Sequence, residues 1–169
     1  MAVNAYAFVG MYSHALDTAA HLLTKGAEFA AANGVGGTEL LDWRLIDDMQ
    51  PLAFQLMVVC NFSRQWPARV AGLPVPPDVG ADLDLAGFRD AIAAAKTYLA
   101  TLKPEQFEDR DELALTHTIG TGMTLTLPAG RWLTIFATTN LYFHLSTAYD
   151  ILRSKGVQIG KPDLFAGGL

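Results

Sequence analysis

Residues 140–153 read Asn140-Leu141-Tyr142-Phe143-His144-Leu145-Ser146-Thr147-Ala148-Tyr149-Asp150-Ile151-Leu152-Arg153, and they form the centre of a segment, 128–163, around which the rest of the chain is expected to pack. No charged residue occurs from Trp132 to Tyr149, whereas Asp150, Arg153 and Lys155 follow together just before Gly156. Basic residues in the last turn and a glycine just beyond it are typical of a helix end. The pattern therefore predicts a buried helix that reaches the surface only at its carboxyl end.

Two stripes of mostly apolar residues run along this helix at three- and four-residue spacing. The first predicts the surface that faces the core, and it consists of Leu133, Phe136, Ala137, Asn140, Phe143, His144, Thr147 and Ile151. The second consists of Thr138, Tyr142, Leu145, Tyr149 and Leu152. A helix that is apolar on nearly all sides is either central in its own domain or shares one face with another subunit. We favour the shared face, which predicts a homodimer that Tyr142→Glu or Leu145→Glu would weaken.

The composition favours a single domain and argues against nucleic acid as a partner. A chain of 169 residues suits one domain with a substantial core. Its 51% hydrophobic and 17% charged residues lie to the apolar side of the average for soluble domains, which agrees with an oligomer interface. The formal net charge is -5 and the basic residues are scattered singly, so neither nucleic acid nor an anionic membrane surface is expected to bind.

The single cysteine, Cys60, excludes an internal disulfide framework and every metal site that needs several cysteines. It lies in an apolar run with no adjacent basic residue, which indicates a small buried hydrophobic residue rather than a catalytic thiol. The first residues, Met1-Ala2-Val3-Asn4, lack the basic region and apolar core of a secretory signal, so we expect a cytoplasmic protein. The uncharged run 132–149 is about long enough to cross a bilayer, but its polar content favours a helix packed inside a protein.

Two histidines lie on the predicted first helix, which covers about residues 4–33. His14 and His21 are seven residues apart and therefore roughly on one face. Their separation of about 10 Å along the axis is too large for both to bind one metal ion directly. We expect them to be partly exposed or at the edge of the core.

End signals define the next three helices. Thr38 is a plausible N-cap of a short helix that reaches about residue 46, and Pro51 fits the first turn of a long helix whose regular part ends or kinks at Pro67. Residues 72–78 are rich in proline and predict an extended crossing loop. Asp84 then caps a helix over 85–102.

Between that helix and the last one, apolar residues recur at every second position on both sides of Gly120-Thr121-Gly122, which predicts a β-hairpin. The glycines are expected to form a plain turn, because the further glycine and lysine of a phosphate-binding loop are missing. His117 is predicted to be solvent-facing or at a strand edge. The predicted fold class is all-α: a four-helix bundle with a short extra helix after helix 1 and a small β-hairpin before the last helix, in one domain covering 1–169.

The run 140–153 and its continuation, Gly156-Val157-Gln158-Ile159-Gly160-Lys161-Pro162-Asp163, resemble the closing signature of an uncharacterised-domain family within the DinB-like, or YfiT-like, superfamily. Further matches, in the family's order, are 44–49, 51–52, Gln55 and 68–72. The resemblance implies a DinB-like four-helix bundle that is often a homodimer. It also implies a divalent metal held by three histidines in many relatives, two of them one turn apart on the last helix and the third on the second helix.

This sequence departs from that ligand pattern. His144 matches one position on the last helix, but Asn140 stands one turn before it and Ala148 one turn after it. The matching region of the second helix, 60–62, contains no histidine. We therefore expect no metal cofactor and regard His144 as the only metal-ligand candidate. The alternative is a divalent metal such as zinc or nickel in a site rebuilt from His144, Asp48 and a histidine of the first helix.

Several polar residues in apolar stripes predict a pocket between the second and last helices, because buried polar groups are costly unless they bind each other or a ligand. The predicted ligand-binding residues are Arg44, Asp48, Gln55, Asn140, His144 and Tyr149. The alternatives are a local ion pair between Arg44 and Asp48, and a neutral His144 hydrogen-bonded within the bundle to Asp48, Asn140 or Gln55.

Two classes of function fit this pattern. One is a ligand-binding or structural homodimer that keeps the bundle and the polar pocket, and it assigns no catalytic residue. The other is a metal-dependent enzyme of the thiol transferase or hydrolase type, with His144 as metal ligand or general base. The missing histidines favour the first.

Overall fold

The fold is given by a computed structural model, which describes residues 4–168. Met1–Val3 and Leu169 are outside the described residues, and so is most of the segment in which no secretory signal was expected. The helices and strands follow the order α1 (Ala7–Ala32), α2 (Gly37–Asp42), α3 (Leu52–Ala71), α4 (Leu85–Thr101), β1 (Ala114–Ile119), β2 (Met123–Pro128), α5 (Ala129–Arg131) and α6 (Thr138–Ser154). Within 4–168, no helix has the length and hydropathy needed to cross a membrane.

The chain is mostly helical with one antiparallel hairpin, as the sequence predicted. Helices α1, α3 and α6 pack against one another, and α4 packs on α1 and α3. The ring of Phe54 lies 5.8 Å from that of His144, and the ring of Phe62 lies 5.9 Å from that of Phe136. Because residue numbers rise along α3 while they fall along the continuous helical run 129–154, α3 and α6 are antiparallel.

The predicted helix ends are partly right. Asp84 caps α4 as expected, since its Oδ1 accepts a 2.7 Å hydrogen bond from the Gly87 N–H. Thr38 is not a cap: α2 begins at Gly37 and ends at Asp42, so that 43–51 is a loop. Pro51 is the N-cap residue of α3 rather than part of its first turn. Pro67 lies inside α3, which continues to Ala71, because a proline removes one backbone donor without preventing the helix from closing further turns.

The last helical run contains a π-helical turn over Trp132–Ala137, between α5 and α6. The Thr138 N–H donates to the carbonyl oxygen of Leu133, five residues earlier, and the Thr138 hydroxyl donates to the same oxygen at 2.7 Å. The buried Tyr12 hydroxyl lies 3.0 Å from the Thr138 Oγ1. These contacts satisfy a carbonyl group that the wider turn would otherwise leave weakly bonded.

The π turn rotates the buried face of α6. A π turn holds one residue more than an α turn, so side chains after it are displaced by one position on the helical wheel. Within it, Leu133 and Ala137 are buried as predicted. After it, Thr147 and Ile151 are buried as predicted, but the buried face also includes Leu141, Leu145, Ala148 and Leu152, each one position later than a member of the predicted stripe.

Two predictions for the last helix are therefore wrong. Phe143 was expected in the core, but it is 56% exposed. Leu145 and Leu152 were expected on a face shared with another subunit, but both are buried in the core of their own chain. Of the predicted subunit face, Tyr142 is the residue with a substantial exposed fraction, 39%.

Side chains from the second half of α3 bind the crossing loop 72–84 by hydrogen bonds. The buried Asn61 donates from Nδ2 to the Val79 carbonyl at 3.0 Å and accepts the Val79 N–H on Oδ1 at 2.8 Å. Arg64 and Gln65 donate to the Pro77 and Pro76 carbonyls. Asn61, in the region 60–62 that the resemblance matched to a metal-ligand position, thus anchors this loop.

Candidate functional site

A chain of hydrogen bonds joins His144 on α6 to the start of α3. Gln55 is 2% exposed, and its Nε2 donates to the carbonyl oxygen of Gln50 at 2.8 Å. Its Oε1 lies 2.7 Å from Nδ1 of His144. Of the three partners predicted for His144, the structure therefore places Gln55 on the histidine.

The amide of Gln55 determines which ring nitrogen of His144 carries the proton. Because Nε2 of Gln55 must donate to a carbonyl, its Oε1 is the atom that faces His144, and an amide oxygen only accepts. The imidazole therefore has its proton on Nδ1 and a lone pair on Nε2. Burial lowers the pKa of His144, so the ring is neutral at pH 7.

The imidazole of His144 contacts two phenyl rings. Phe54 from α3 lies 5.8 Å from the imidazole centroid, and Phe143 lies 5.2 Å from it at an interplanar angle of 90°. Among residues 4–168, Nε2 has no hydrogen-bond partner and is not completely buried. The arrangement can accept a proton or a hydrogen bond from a molecule that lies against the two phenyl rings.

Asn140 lies one turn before His144 on the same side of α6. Its Nδ2 donates to the Phe136 carbonyl at 2.8 Å. Its Oδ1 makes no hydrogen bond with any residue that the structure describes, and the side chain borders a cleft beneath the hairpin. Asn140 is thus a second available acceptor on this surface.

The other three predicted ligand-binding residues lie elsewhere. Arg44 and Asp48 are exposed in the loop 43–51, where Arg44 donates to the Met49 carbonyl at 2.8 Å. No ion pair joins them within the described part of the chain, because the helix that would have set their four-residue spacing ends at Asp42. Tyr149 is half-buried and is rotated by about 140° from His144 on the wheel of α6, so it packs on a different side.

The residues proposed for a rebuilt metal site are not brought together. His14 is exposed on α1, and Nε2 of His21 is bonded to Oδ1 of Asp163 at 2.6 Å. Asp48 lies in its loop, and the partner of His144 is an amide. Across 4–168, no three histidine, cysteine, aspartate or glutamate side chains are arranged to hold a metal ion. The donor set around His144 therefore does not match the three-histidine set that the resemblance implies.

Cys60 is fully buried, and burial raises the pKa of its thiol to about 12. The residue is thus an inert apolar side chain in α3, as the sequence predicted.

His117 lies on an edge strand, which is one of the two predicted alternatives, but its side chain is half-buried rather than solvent-facing. It projects from β1 onto two stacked indoles, at 5.0 Å from the Trp66 ring and 5.7 Å from the Trp132 ring. Burial, and to a smaller extent the positive charge of Arg69, lower the pKa of His117. The alternation of the strand contained the signal, because His117 has the same parity as the half-buried Leu115 and Ile119.

The comparisons with known proteins agree with this fold. The family described as Domain of unknown function (DUF1993) matches residues 6–165. The chain is also similar to a solved structure described as a DinB family member protein from Shewanella denitrificans, with 30% identity and a TM-score of 0.81. That match covers 95% of this chain and 90% of the other. No curated protein matches significantly.

Proposed function

Since the chain belongs to the DUF1993 family of DinB-like domains, we propose that it is a small-molecule-binding protein, built as a four-helix bundle, in which His144 contacts the ligand. The proposal takes residues 1–169 as one domain, in keeping with a family match that spans 6–165. The observation that carries it is the hydrogen-bond chain from Gln50 through Gln55 to Nδ1 of His144, which leaves Nε2 free.

The support is energetic. Burying the Gln55 amide is favourable only if both its oxygen and its nitrogen are hydrogen-bonded, and both are. The amide also fixes the orientation and the proton position of the imidazole before any ligand arrives. Such preorganisation lowers the entropy cost of binding. A histidine with only a packing role would not need an unprotonated Nε2 that is left without a partner in the described part of the chain.

The chemistry of the site defines the ligand. A neutral imidazole nitrogen accepts a hydrogen bond, so the ligand carries an O–H or N–H donor. Phe54 and Phe143 favour an apolar or aromatic body beside that donor, because aromatic rings pack edge-to-face or offset.

Phenol and anisole provide a matched pair of probes, because methylation removes the donor and leaves the ring. In a titration followed by NMR, phenol should shift the His144 side-chain resonances and bind about three- to tenfold more tightly than anisole, as expected for one neutral hydrogen bond. His144→Phe should remove this preference, whereas His14→Phe, at an exposed histidine on α1, should retain it. Equal binding of the two probes, or an unchanged preference in His144→Phe, would refute the proposal.

The alternative, a metal-dependent enzyme of the thiol transferase or hydrolase type, needs more donors than His144 offers. The side chain bonded to it is an amide, and amide oxygens are weak ligands for zinc or nickel. The ligand-binding proposal needs only groups that already surround the histidine.

We also propose that the protein forms a homodimer through the exposed side of α6. Tyr142, Phe143 and Ser146 lie exposed in a run without charge, 132–149, on a chain of net charge -5. Two acidic copies can meet at an uncharged face without bringing like charges together. Light scattering should show that Tyr142→Glu lowers the mass to that of the monomer, and an unchanged mass would refute this face. Leu145→Glu should unfold the chain instead, because it places a charge in the core.

A further inference from the structure

A second cavity lies between the hairpin and the last helical run, and it reaches Asn140, one turn before His144. It encloses about 340 Å³, a volume in the range of small-molecule sites. The hairpin contributes Ile119, Leu125 and Leu127, and the π turn contributes Trp132, Ile135 and Phe136. Leu125 is 37% exposed and Ile135 is 57% exposed, so both leave apolar surface open to water. We call this cavity the hairpin cleft.

The π turn builds one wall of the hairpin cleft. Three residues of the π turn line the cleft, namely Trp132, Ile135 and Phe136. The wall is held in place from behind, because the Trp132 Nε1 donates to the Leu115 carbonyl at 2.7 Å. π turns are energetically poor and occur often at functional sites, which makes a wall formed by one a reasonable place for a ligand.

One basic side chain, that of Arg131, lies at the edge of this apolar cleft. Arg131 borders it and is exposed, and within residues 4–168 its guanidinium makes no hydrogen bond or ion pair. The remaining polar lining residues are Thr139 and Asn140, which are uncharged, so no carboxylate of the cleft neutralises the arginine. On a chain of net charge -5, an unpaired guanidinium beside apolar surface is complementary to an anion with an apolar tail.

We propose that the hairpin cleft binds a free fatty acid of medium chain length, with its carboxylate on Arg131 and its alkyl chain between the hairpin and the π turn. The walls are mainly aliphatic at Ile119, Leu125, Leu127 and Ile135, which suits a flexible alkyl chain better than a rigid ring. Arg131 and Thr139 are eight residues apart, a span of about 12 Å in helical geometry, which an extended alkyl chain can follow. Binding covers the exposed surface of Leu125 and Ile135 and pairs the guanidinium.

Decanoate and decan-1-ol test this assignment, because they share the alkyl chain and differ in charge. In calorimetric titrations of the full chain, decanoate should bind at least tenfold more tightly than decan-1-ol. NMR should place the decanoate-induced shifts on β1, β2 and 132–137. Equal affinity for the two probes, or shifts confined to other segments, would overturn the proposal.

Substitutions at exposed positions keep the fold and separate the two parts of the site. Arg131→Gln should weaken decanoate about tenfold or more and leave decan-1-ol unchanged, whereas Ile135→Ser should weaken both probes. His144→Phe should bind decanoate like the wild type, which distinguishes this site from the one around His144. Undiminished decanoate binding by Arg131→Gln would refute the role of the guanidinium, and by Ile135→Ser it would refute the cleft.

Discussion

Replacing Gln55 by leucine tests the hydrogen-bond chain on which the site around His144 depends. The substitution approximately keeps the volume of a side chain that is 2% exposed, and it removes the bonds to Gln50 and His144. Gln50 is exposed, so water can replace its lost partner, whereas the Nδ1–H of the half-buried His144 is left without an acceptor. An unmet buried donor costs about 1–3 kcal/mol, and the added apolar surface offsets part of it. We expect unfolding to become easier by about 1–2 kcal/mol.

Urea denaturation and histidine NMR measure the two consequences separately. The urea midpoint should fall with an unchanged slope, and each kcal/mol should lower Tm by about 2–4 °C in a chain of this length. The nitrogen shifts of His144 should change from a single Nδ1–H form to a mixture of tautomers. Gln158→Leu is the matched control, because this exposed glutamine makes only a local bond to the Gly156 carbonyl. An unchanged midpoint together with a retained Nδ1–H form would refute the reasoning.

Three further predictions concern other parts of the structure. Asn61→Leu should destabilise the protein by about 2–3 kcal/mol in urea denaturation, because it frees both backbone groups of Val79; a loss below about 0.5 kcal/mol would contradict that role. Burial lowers the folded-state pKa of His144, so below about pH 6.5 the unfolded chain binds a proton at this residue more readily than the folded chain does. The free energy of unfolding should therefore fall as the pH drops below about 6.5, and it should fall less in His144→Phe. The hydrogen bond from His21 is the main cause of the lowered pKa of Asp163. The ionised Asp163 therefore stabilises the folded chain above the ordinary pKa of 3.8, and this stabilisation is lost as the pH falls through the folded-state pKa. In Asp163→Asn, Tm should fall less steeply with decreasing pH in this acid range, and an unaltered pH dependence would contradict this.

The sequence was sufficient for the helices and hairpin whose signals are local. The cap at Asp84 and the alternation around Gly120-Thr121-Gly122 depend on neighbours a few residues away, and both predictions are confirmed. Gln55 was also identifiable, because a glutamine beside an apolar stripe must find a partner, and the structure supplies His144.

What the sequence did not reveal depends on a change of helical period and on tertiary contacts. The stripe on the last helix was predicted with one helical period throughout. After the π turn, which this period does not include, Phe143 is exposed and Leu145 is buried. The pairing of Arg44 with Asp48 assumed a helix that in fact ends before either residue. The indole neighbours of His117 come from two separate helical segments, and the spacing of a strand carries no information about them.

The π turn also has a consequence for how related sequences should be aligned. A π turn holds one residue more than an α turn, so the last helical run has one residue more than a regular α-helix that makes the same number of turns. A relative whose last helix is regular throughout therefore needs a one-residue gap within 132–137, and not in the nearby hairpin loop. A gap placed in the hairpin loop would instead shift by one the residues between that loop and the π turn, among them Arg131 and Trp132.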